Sequence, residues 1–376
     1  MNISMKNQLL IWLAAILLAF STILKYFRRV HPDSFGIYEN AMYISFILIF
    51  IIGVVFFHKR STFDEMWGNN IPLALLFVIT LLVSITTFVF HSPNFLRMLH
   101  TYLSSFFLLL LLYLGIKTIS PKVFNVITHK YYAIAFAVGI LFMSMELFGV
   151  TVDKRLINEN TVGLLLVPFL IYLFIKAKGL YLKLLIYTIG AILIYISDAH
   201  TSLIIFILLP VFIMIIKKIK NPRLFYSIYI LSGILVTFII ANINSELITS
   251  LLTNRDILWE KYFDHVTSSI QHFLFGTGQW VIKLEDPLLH GLHAHNAYLN
   301  ILNYSGVFVL VLYLCLIIFS NRKRVNTFTV SDGVLFFMVT FQFAESSVPF
   351  FNFFFPSVIF YINIFMNRFS EEIKDY

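Results

Sequence analysis

The clearest candidate for chemistry is the segment His293-Ala294-His295-Asn296, which stands at the start of a long apolar stretch. An imidazole takes or gives a proton near neutral pH, and the N-terminus of a helix favours anions. If the helix includes His295, this side chain shares a face with Leu299 and Gly306, where glycine allows another helix to come close. The segment therefore suits proton transfer. The alternative is that Asn296 caps the helix and the histidines are interfacial.

A metal site is the second functional interpretation of these histidines. The pattern His293-x-His295 can place two imidazoles on one ion, with His290 beside them and with His265 and His272 upstream. No carboxylate or thiolate stands at a diagnostic spacing from them, so we expect no bound metal.

Arginines provide candidate anion-binding groups. Arg255 and Trp259 are four residues apart, so on a helix they share a face. An external arginine can bind a phosphate with two hydrogen bonds while an aromatic ring lies on lipid or sugar. The alternative is an arginine that extends to lipid headgroups. Arg155, in Asp153-Lys154-Arg155, has the same two interpretations.

Three other polar features lie within or between apolar stretches. Asp198 and His200 belong to a tight turn, Ser197-Asp198-Ala199, and could border a cavity or simply form a polar hairpin. Glu146 and Glu345 fall within or close to predicted membrane spans, where a carboxylate is costly and often functional. Either could instead be protonated or paired.

The elements that must position these residues are predicted to be membrane-spanning helices. The chain is 59% hydrophobic and 12% charged, with a mean hydropathy of +0.87, which is outside the range of soluble globular domains. A span needs about 20 mostly apolar residues. The sequence therefore predicts an all-α integral membrane protein with about twelve spans, near residues 8–24, 41–57, 71–90, 99–119, 131–150, 162–175, 180–196, 201–216, 224–241, 297–319, 333–349 and 350–366.

Charge distribution predicts the orientation of these spans. With the N-terminus inside, the segments assigned to the cytoplasm hold twice as many Lys and Arg as the external ones. Both termini are then cytoplasmic and residues 242–296 form one long external loop. Spaced apolar residues in that loop predict one or two amphipathic helices, ending near Gly276-Thr277-Gly278. The net charge of +8 is spread over loop ends, so we expect no nucleic-acid partner.

The order of these elements along the chain resembles that in the O-antigen ligase and polymerase superfamily (WaaL- and Wzy-like enzymes). The resemblance covers roughly residues 158–356 and rests on the S-D-x-x-T-S hairpin and on a long loop with R-x-x-x-W, G-x-G and H-x-H-N-x-x-L. Its most specific part is His295-Asn296 followed by nine residues and Gly306, similar to the pattern H-[NSQ]-x9-G-x-x-G. Val309 replaces the second glycine, and His200 stands where many relatives have arginine.

The resemblance implies an inverting, metal-independent membrane glycosyltransferase without a cofactor, in the cytoplasmic membrane of a bacterium. Its donor would be a polyprenyl-diphosphate-linked glycan, and membrane lipid and a chain-length regulator would be partners. Arg255, helped by Arg155 or His200, would hold the diphosphate, and His295 with His293 would take the acceptor proton. The further predicted substrate contacts are Asp198, Trp259, Asn296 and Glu345.

The sequence is compatible with three functions. A polymerase joins one lipid-linked repeat unit to another, to give O-antigen, capsular polysaccharide or exopolysaccharide. A ligase passes the finished glycan to a different acceptor. A transporter of the same glycan would need charged residues along a path through several spans, whereas charge here avoids most of the predicted spans.

Overall fold

The computed structural model describes residues 71–90, 121–148, 159–243, 254–279, 281–282, 292–320 and 328–345, with the single positions 44, 48, 51, 249, 360 and 363. In these residues the chain forms α-helices and no strand. The helices are α1 (Ile71–Phe90), α2 (Pro121–Leu147), α3 (Glu159–Lys176), α4 (Leu180–Ile196), α5 (His200–Ile216), α6 (Pro222–Ala241), α7 (Arg255–Thr267), α8 (Ile270–Phe275), α9 (Ala297–Ser320) and α10 (Val330–Phe341).

The all-helical prediction is confirmed over the described residues. Among them, α6 and α9 are long and apolar enough to cross a membrane, with mean hydropathies of 2.2 and 2.4. Helices α3, α4, α5 and α10 are apolar and shorter. The spans predicted near residues 8–24 and 99–119 lie outside the described residues, as do most positions of those near 41–57 and 350–366.

Consecutive helices from α2 to α5 pack against each other. Helices α2 to α5 follow one another with short connections or direct packing, and α10 packs against α3 and α5. Helix α9 contacts α1, α6, α7 and α8. Almost every residue of α10 and of the first half of α9 is buried, so these two helices form the centre to which the functional segments attach.

Local sequence signals explain where several helices begin. Asn221 caps α6 by accepting a hydrogen bond from the Leu224 amide, and Pro222 occupies the first helical position. Thr329 and Asp332 form a reciprocal capping box at the start of α10. Only residues 197–199 connect α4 to α5, as the sequence predicted. The central residue of this connection, Asp198, adopts a left-handed conformation with φ of 59°.

Helices α7 and α8 lie in the described part of the long loop, and α8 ends at Phe275 immediately before Gly276-Thr277-Gly278. This confirms the prediction of helices in the loop that end at the glycines. Beyond α8, the Thr277 and Gly278 amides donate to the carbonyl oxygens of Asn303 and Tyr304, at 2.7 and 2.9 Å. In a straight helix those oxygens accept from residues four positions further on, but α9 kinks at Gly306. The loop is therefore fastened to the kinked helix.

Two glycines make this attachment possible. Gly276 and Gly306 have φ values of 78° and 79°, and each lies against the backbone of the other segment. A Cβ on Gly306 would lie 2.2 Å from the Leu274 carbonyl oxygen. The sequence predicted close helix approach at Gly306, and the approaching element is α8.

We expect Gly306→Ala to destabilise the protein by more than about 3 kcal/mol, because a positive φ strains alanine and the methyl group collides with backbone. The matched control is Gly179→Ala. Gly179 also has a positive φ, 86°, but a methyl group there would have no atom within 4 Å, so the expected cost is the backbone strain alone, about 1–3 kcal/mol. Thermal unfolding of the purified variants in detergent measures the difference, and equal losses for both variants would contradict this prediction.

Candidate functional site

A buried carboxylate lies at the centre of the site. Glu345 is 1% exposed and accepts from Arg255 Nη2 at 2.9 Å and from Asn160 Nδ2 at 2.6 Å, both at Oε1. Its Oε2 lies 3.2 Å from Nδ1 of His295. We call these four residues the Glu345 cluster. Buried carboxylates require charge or hydrogen-bond partners, and this one has three.

The cluster joins four parts of the chain. Asn160 lies in the first turn of α3, and Arg255 is the first residue of α7. His295 precedes α9, and Glu345 follows α10 in a turn in which its amide donates to the Phe341 carbonyl oxygen at 2.9 Å. The long loop and the ends of two core helices therefore meet at one carboxylate.

Arg255 is held on two sides. Its Nη1 donates to the Ala344 carbonyl oxygen at 2.8 Å, next to the ion pair that Nη2 makes with Glu345. The guanidinium is a planar donor with several N–H groups, and 23% of the side chain remains exposed. Glu345 balances most of its charge within the protein. Arg255 therefore fixes the arrangement of the cluster, and part of its side chain remains accessible.

His295 does not lie on the helix, contrary to the expectation from its spacing. Helix α9 begins at Ala297, and His295 has a left-handed φ of 47°. The prediction that His295 shares a helical face with Leu299 and Gly306 is therefore wrong. The cause is Asn296, whose Oδ1 accepts from the Leu299 amide at 3.0 Å and caps the helix.

The observed contacts of Asn296 are structural, because they join parts of the backbone. It is 1% exposed, and its Nδ2 donates to the Phe343 carbonyl oxygen at 3.0 Å. The next amide, of Ala297, donates to the Gln342 carbonyl oxygen at 2.8 Å. The start of α9 is thus bound to the end of α10, which fixes His295 relative to Glu345.

The contact with Glu345 selects the proton arrangement of His295. An ionised carboxylate only accepts hydrogen bonds, so Nδ1 of His295 carries the hydrogen that points to Oε2. The Nε2 atom then has the free lone pair, and the side chain is 20% exposed. This is the arrangement of a general base whose cationic form a carboxylate stabilises.

His293 supports the segment in its neutral form. Its Nδ1 accepts from the His295 amide at 3.2 Å, and the two rings are 4.2 Å apart. Burial, followed by the nearby His295 and Arg255, lowers the pKa of His293 to about 4. A neutral ring is what its Nδ1 acceptor role requires.

Two aromatic residues of α7 donate hydrogen bonds to the backbone around His293. Trp259 is 5% exposed and its Nε1 donates to the Ala294 carbonyl oxygen at 2.7 Å. The Tyr262 hydroxyl donates to the Leu292 carbonyl oxygen at 3.1 Å, and burial raises the pKa of Tyr262 to about 12. Trp259, predicted as a substrate contact, is turned towards the protein.

The hairpin residues are open to solvent. His200 Nε2 lies 3.0 Å from Asp198 Oδ1, and their side chains are 68% and 48% exposed. The hairpin packs near the start of α3, because Gly163 has Ala199 and Ser202 as close neighbours. It therefore lies at the same end of the bundle as Asn160.

Some candidates lie outside the described residues. Arg155 and His290 are among them, and so is the side chain of Glu146. Across the part of the chain that the structure describes, no group of three or more His, Cys, Asp or Glu residues could hold a metal ion. His265 and His272 approach with ring centroids 5.6 Å apart, but as a pair only.

Sequence reasoning missed Asn160 and the bridging position of Glu345. The run Asn158-Glu159-Asn160 looks like a helix start, and Asn160 does lie in the first turn of α3. The one signal in the sequence was the cost of an unpaired carboxylate at Glu345. That cost indicates that partners exist without identifying them.

Comparison of this chain with known protein families, with curated proteins and with solved structures finds no match.

The neutral state of His293 predicts a pH dependence of folding. Above pH 6.5 the histidine is neutral in both states. Below that value the unfolded chain binds the proton first, while folded His293 stays neutral down to about pH 4. The free energy of unfolding should therefore fall between these two pH values, by on the order of 3 kcal/mol.

The measurement is chemical unfolding in detergent at a series of pH values. His293→Asn cannot titrate in this range, so its stability should depend less on pH than that of the wild-type protein. His200→Asn is the control, because it removes an exposed histidine that lies outside this segment. Identical pH dependences for wild-type and His293→Asn would contradict the assignment.

Proposed function

We propose that this chain is a multi-pass membrane glycosyltransferase that polymerises polyprenyl-diphosphate-linked oligosaccharide repeat units on the outer face of the bacterial cytoplasmic membrane. The observation that carries the proposal is the contact between His295 and the buried Glu345, beside Arg255. This contact provides a general base and a cation in the long loop that the charge distribution assigns to the outside. The resemblance to O-antigen ligases and polymerases supports the reaction class.

The outer surface of the bundle supports membrane embedding. Helix α4 exposes most of its apolar side chains. They are Leu180, Tyr181, Leu182, Leu184, Leu185, Ile189, Ile192, Tyr195 and Ile196. Helices α5 and α6 each expose about half of their apolar side chains. A helix that is apolar on its exposed side requires an apolar solvent or a partner. We propose about twelve spans with both termini in the cytoplasm.

In the proposed reaction, the acceptor sugar hydroxyl donates its proton to Nε2 of His295. The hydroxyl oxygen attacks the anomeric carbon of the donor while the bond from that carbon to the diphosphate oxygen breaks. One direct displacement inverts the anomeric centre. Glu345 stabilises the imidazolium that forms, and the proton then leaves to solvent or to the released diphosphate.

Holding the diphosphate needs positive charge. Arg255 offers its partly exposed edge, but Glu345 already balances much of its charge. A second cation is therefore required where negative charge develops on the leaving group. Arg155 and His200 are the two candidates in the chain. No metal or cofactor takes part in the proposal.

The ligase function needs the same groups, since it differs only in the acceptor. The transporter function is less well supported, because the buried charged cluster lies at helix ends and a loop rather than along a path through the bundle.

The test is an assay of the purified protein with one synthetic lipid-linked repeat unit. A polymerase elongates it without any other acceptor, and this is the expected result. Transfer only after a second acceptor lipid is added would indicate a ligase. Movement of the intact substrate across liposomes without any new glycosidic bond would indicate a transporter.

A further inference from the structure

Basic residues collect at the end of the bundle opposite to the Glu345 cluster. Helices α3 and α5 both run away from the cluster, so the turns at their C-terminal ends lie together. These turns and the residues next to them carry Lys176, Lys178, Lys183, Lys217, Lys218, Lys220 and Arg223. All but Lys183 and Arg223 are exposed. We call this set the basic end.

Within the described part of the chain, carboxylates do not balance the basic end. The acidic residue placed there is Asp332, which is 4% exposed and committed to the capping box with Thr329. Lys217, Lys218 and Lys220 make no salt bridge with any described residue. Their positive charge can therefore act on a ligand.

Apolar and aromatic surface begins directly beside these charges. Leu180 and Tyr181 follow Lys178 and are 69% and 90% exposed. Leu224, close to Lys220, is 56% exposed. An exposed tyrosine at the boundary between apolar and charged surface is typical of the membrane interface. The ligand that fits both surfaces has an anionic head and hydrocarbon chains.

Arg223 ties a third helix to this end. Its guanidinium carbon lies 5.9 Å from the centre of the Phe319 ring, in the last turn of α9. The C-terminus of α9 is therefore beside the start of α6. A headgroup bound here would therefore contact α9 as well as α5 and α6.

We propose that the basic end binds the headgroups of anionic phospholipids in the cytoplasmic leaflet, with Lys217, Lys218 and Lys220 as principal contacts. This inference rests on the proposed membrane embedding and orientation but not on the proposed reaction. The three lysines lie between α5 and α6, where a phosphodiester meets the positive start of α6. Each juxtamembrane basic residue contributes about five-fold to such binding.

The experiment titrates the full-length protein, in a nonionic detergent, with dioctanoyl-phosphatidylglycerol and follows its thermal unfolding. We expect saturable stabilisation by this lipid and much less by dioctanoyl-phosphatidylcholine. A triple Lys→Gln variant at positions 217, 218 and 220 should bind at least about ten-fold more weakly, and the triple Lys→Arg variant should bind as the wild-type protein does. Lys261→Gln, an exposed lysine of α7 at the opposite end, is the matched control and should bind normally.

Three results would overturn the proposal. One is unchanged binding by the triple Lys→Gln variant, and another is equal stabilisation by the zwitterionic lipid. The third is equal stabilisation by inorganic phosphate, which would indicate an anion site without lipid. The assay is independent of turnover, so its failure leaves the proposed enzyme activity untouched, and loss of activity in His295 variants leaves lipid binding unchanged.

Discussion

Replacing His295 with alanine is expected to shorten the polysaccharide product severely, with a loss of about 100-fold to 10,000-fold in the rate of chain extension. The reason is that general-base catalysis contributes about this factor, and the structure offers Nε2 of His295 as the accessible basic atom beside a carboxylate. The side chain is 20% exposed and caps no helix, so the protein level should change little.

The measurement is the length distribution of the polymer made by cells that carry the variant, with the amount of membrane protein determined in parallel. His272→Gln is the matched control, because His272 lies on the surface helix α8, away from the Glu345 cluster. Normal polymer length from His295→Ala at a normal protein level would show that His295 is not the base.

The second large effect is expected at Glu345. In Glu345→Gln, the remaining carbonyl oxygen can still accept from Arg255 and Asn160, but the amide hydrogens face His295. The imidazole then turns to the tautomer with Nδ1 as acceptor, which places the hydrogen on Nε2 and blocks proton uptake. A comparable tautomer change in serine proteases costs about 10,000-fold. We expect a loss of about 100-fold or more in turnover with a modest loss of stability.

Glu345→Ala should behave differently. It leaves the Arg255 guanidinium without its counter-ion, and breaking a buried ion pair costs about 3–5 kcal/mol. Comparison of the two variants therefore separates the effect of Glu345 on the orientation of His295 from its effect on the stability of the protein.

A merely structural Glu345 would give another pattern. Turnover of Glu345→Gln would then fall only in proportion to the folded fraction. Asn160→Ala is a useful companion, since it removes one hydrogen bond to Glu345 at 2.6 Å and leaves the charge in place. Its effect on turnover should be smaller than that of Glu345→Gln.

The residue types in the sequence indicated most of the residues that belong to the site, but they did not indicate how these residues are arranged. Arg255, His295 and Glu345 stood out in the sequence because charged and titratable groups are conspicuous in so apolar a chain. Their contacts join residues 50 and 90 positions apart. No local periodicity encodes such distances, because the packing of α7, α9 and α10 sets them.

Local rules succeeded where the deciding interaction was itself local. The three-residue hairpin, the loop helices α7 and α8 and the end of α8 before Gly276 all follow from nearby residues. The same rules misplaced His295, because the Asn296 cap moves the start of α9 past it. Trp259 was expected to face lipid or sugar, and the Ala294 carbonyl oxygen, 35 residues away, turns it inwards.

Glycosyl transfer at the Glu345 cluster is tested most directly by a single-turnover assay of purified wild-type and His295→Ala proteins, matched for thermal stability and supplied with one synthetic lipid-linked repeat unit. We predict that the wild-type protein forms the elongated product with an inverted anomeric linkage, and that His295→Ala forms it at least about 100-fold more slowly. Equal rates for the two proteins, or a retained anomeric configuration, would contradict the proposed site and mechanism.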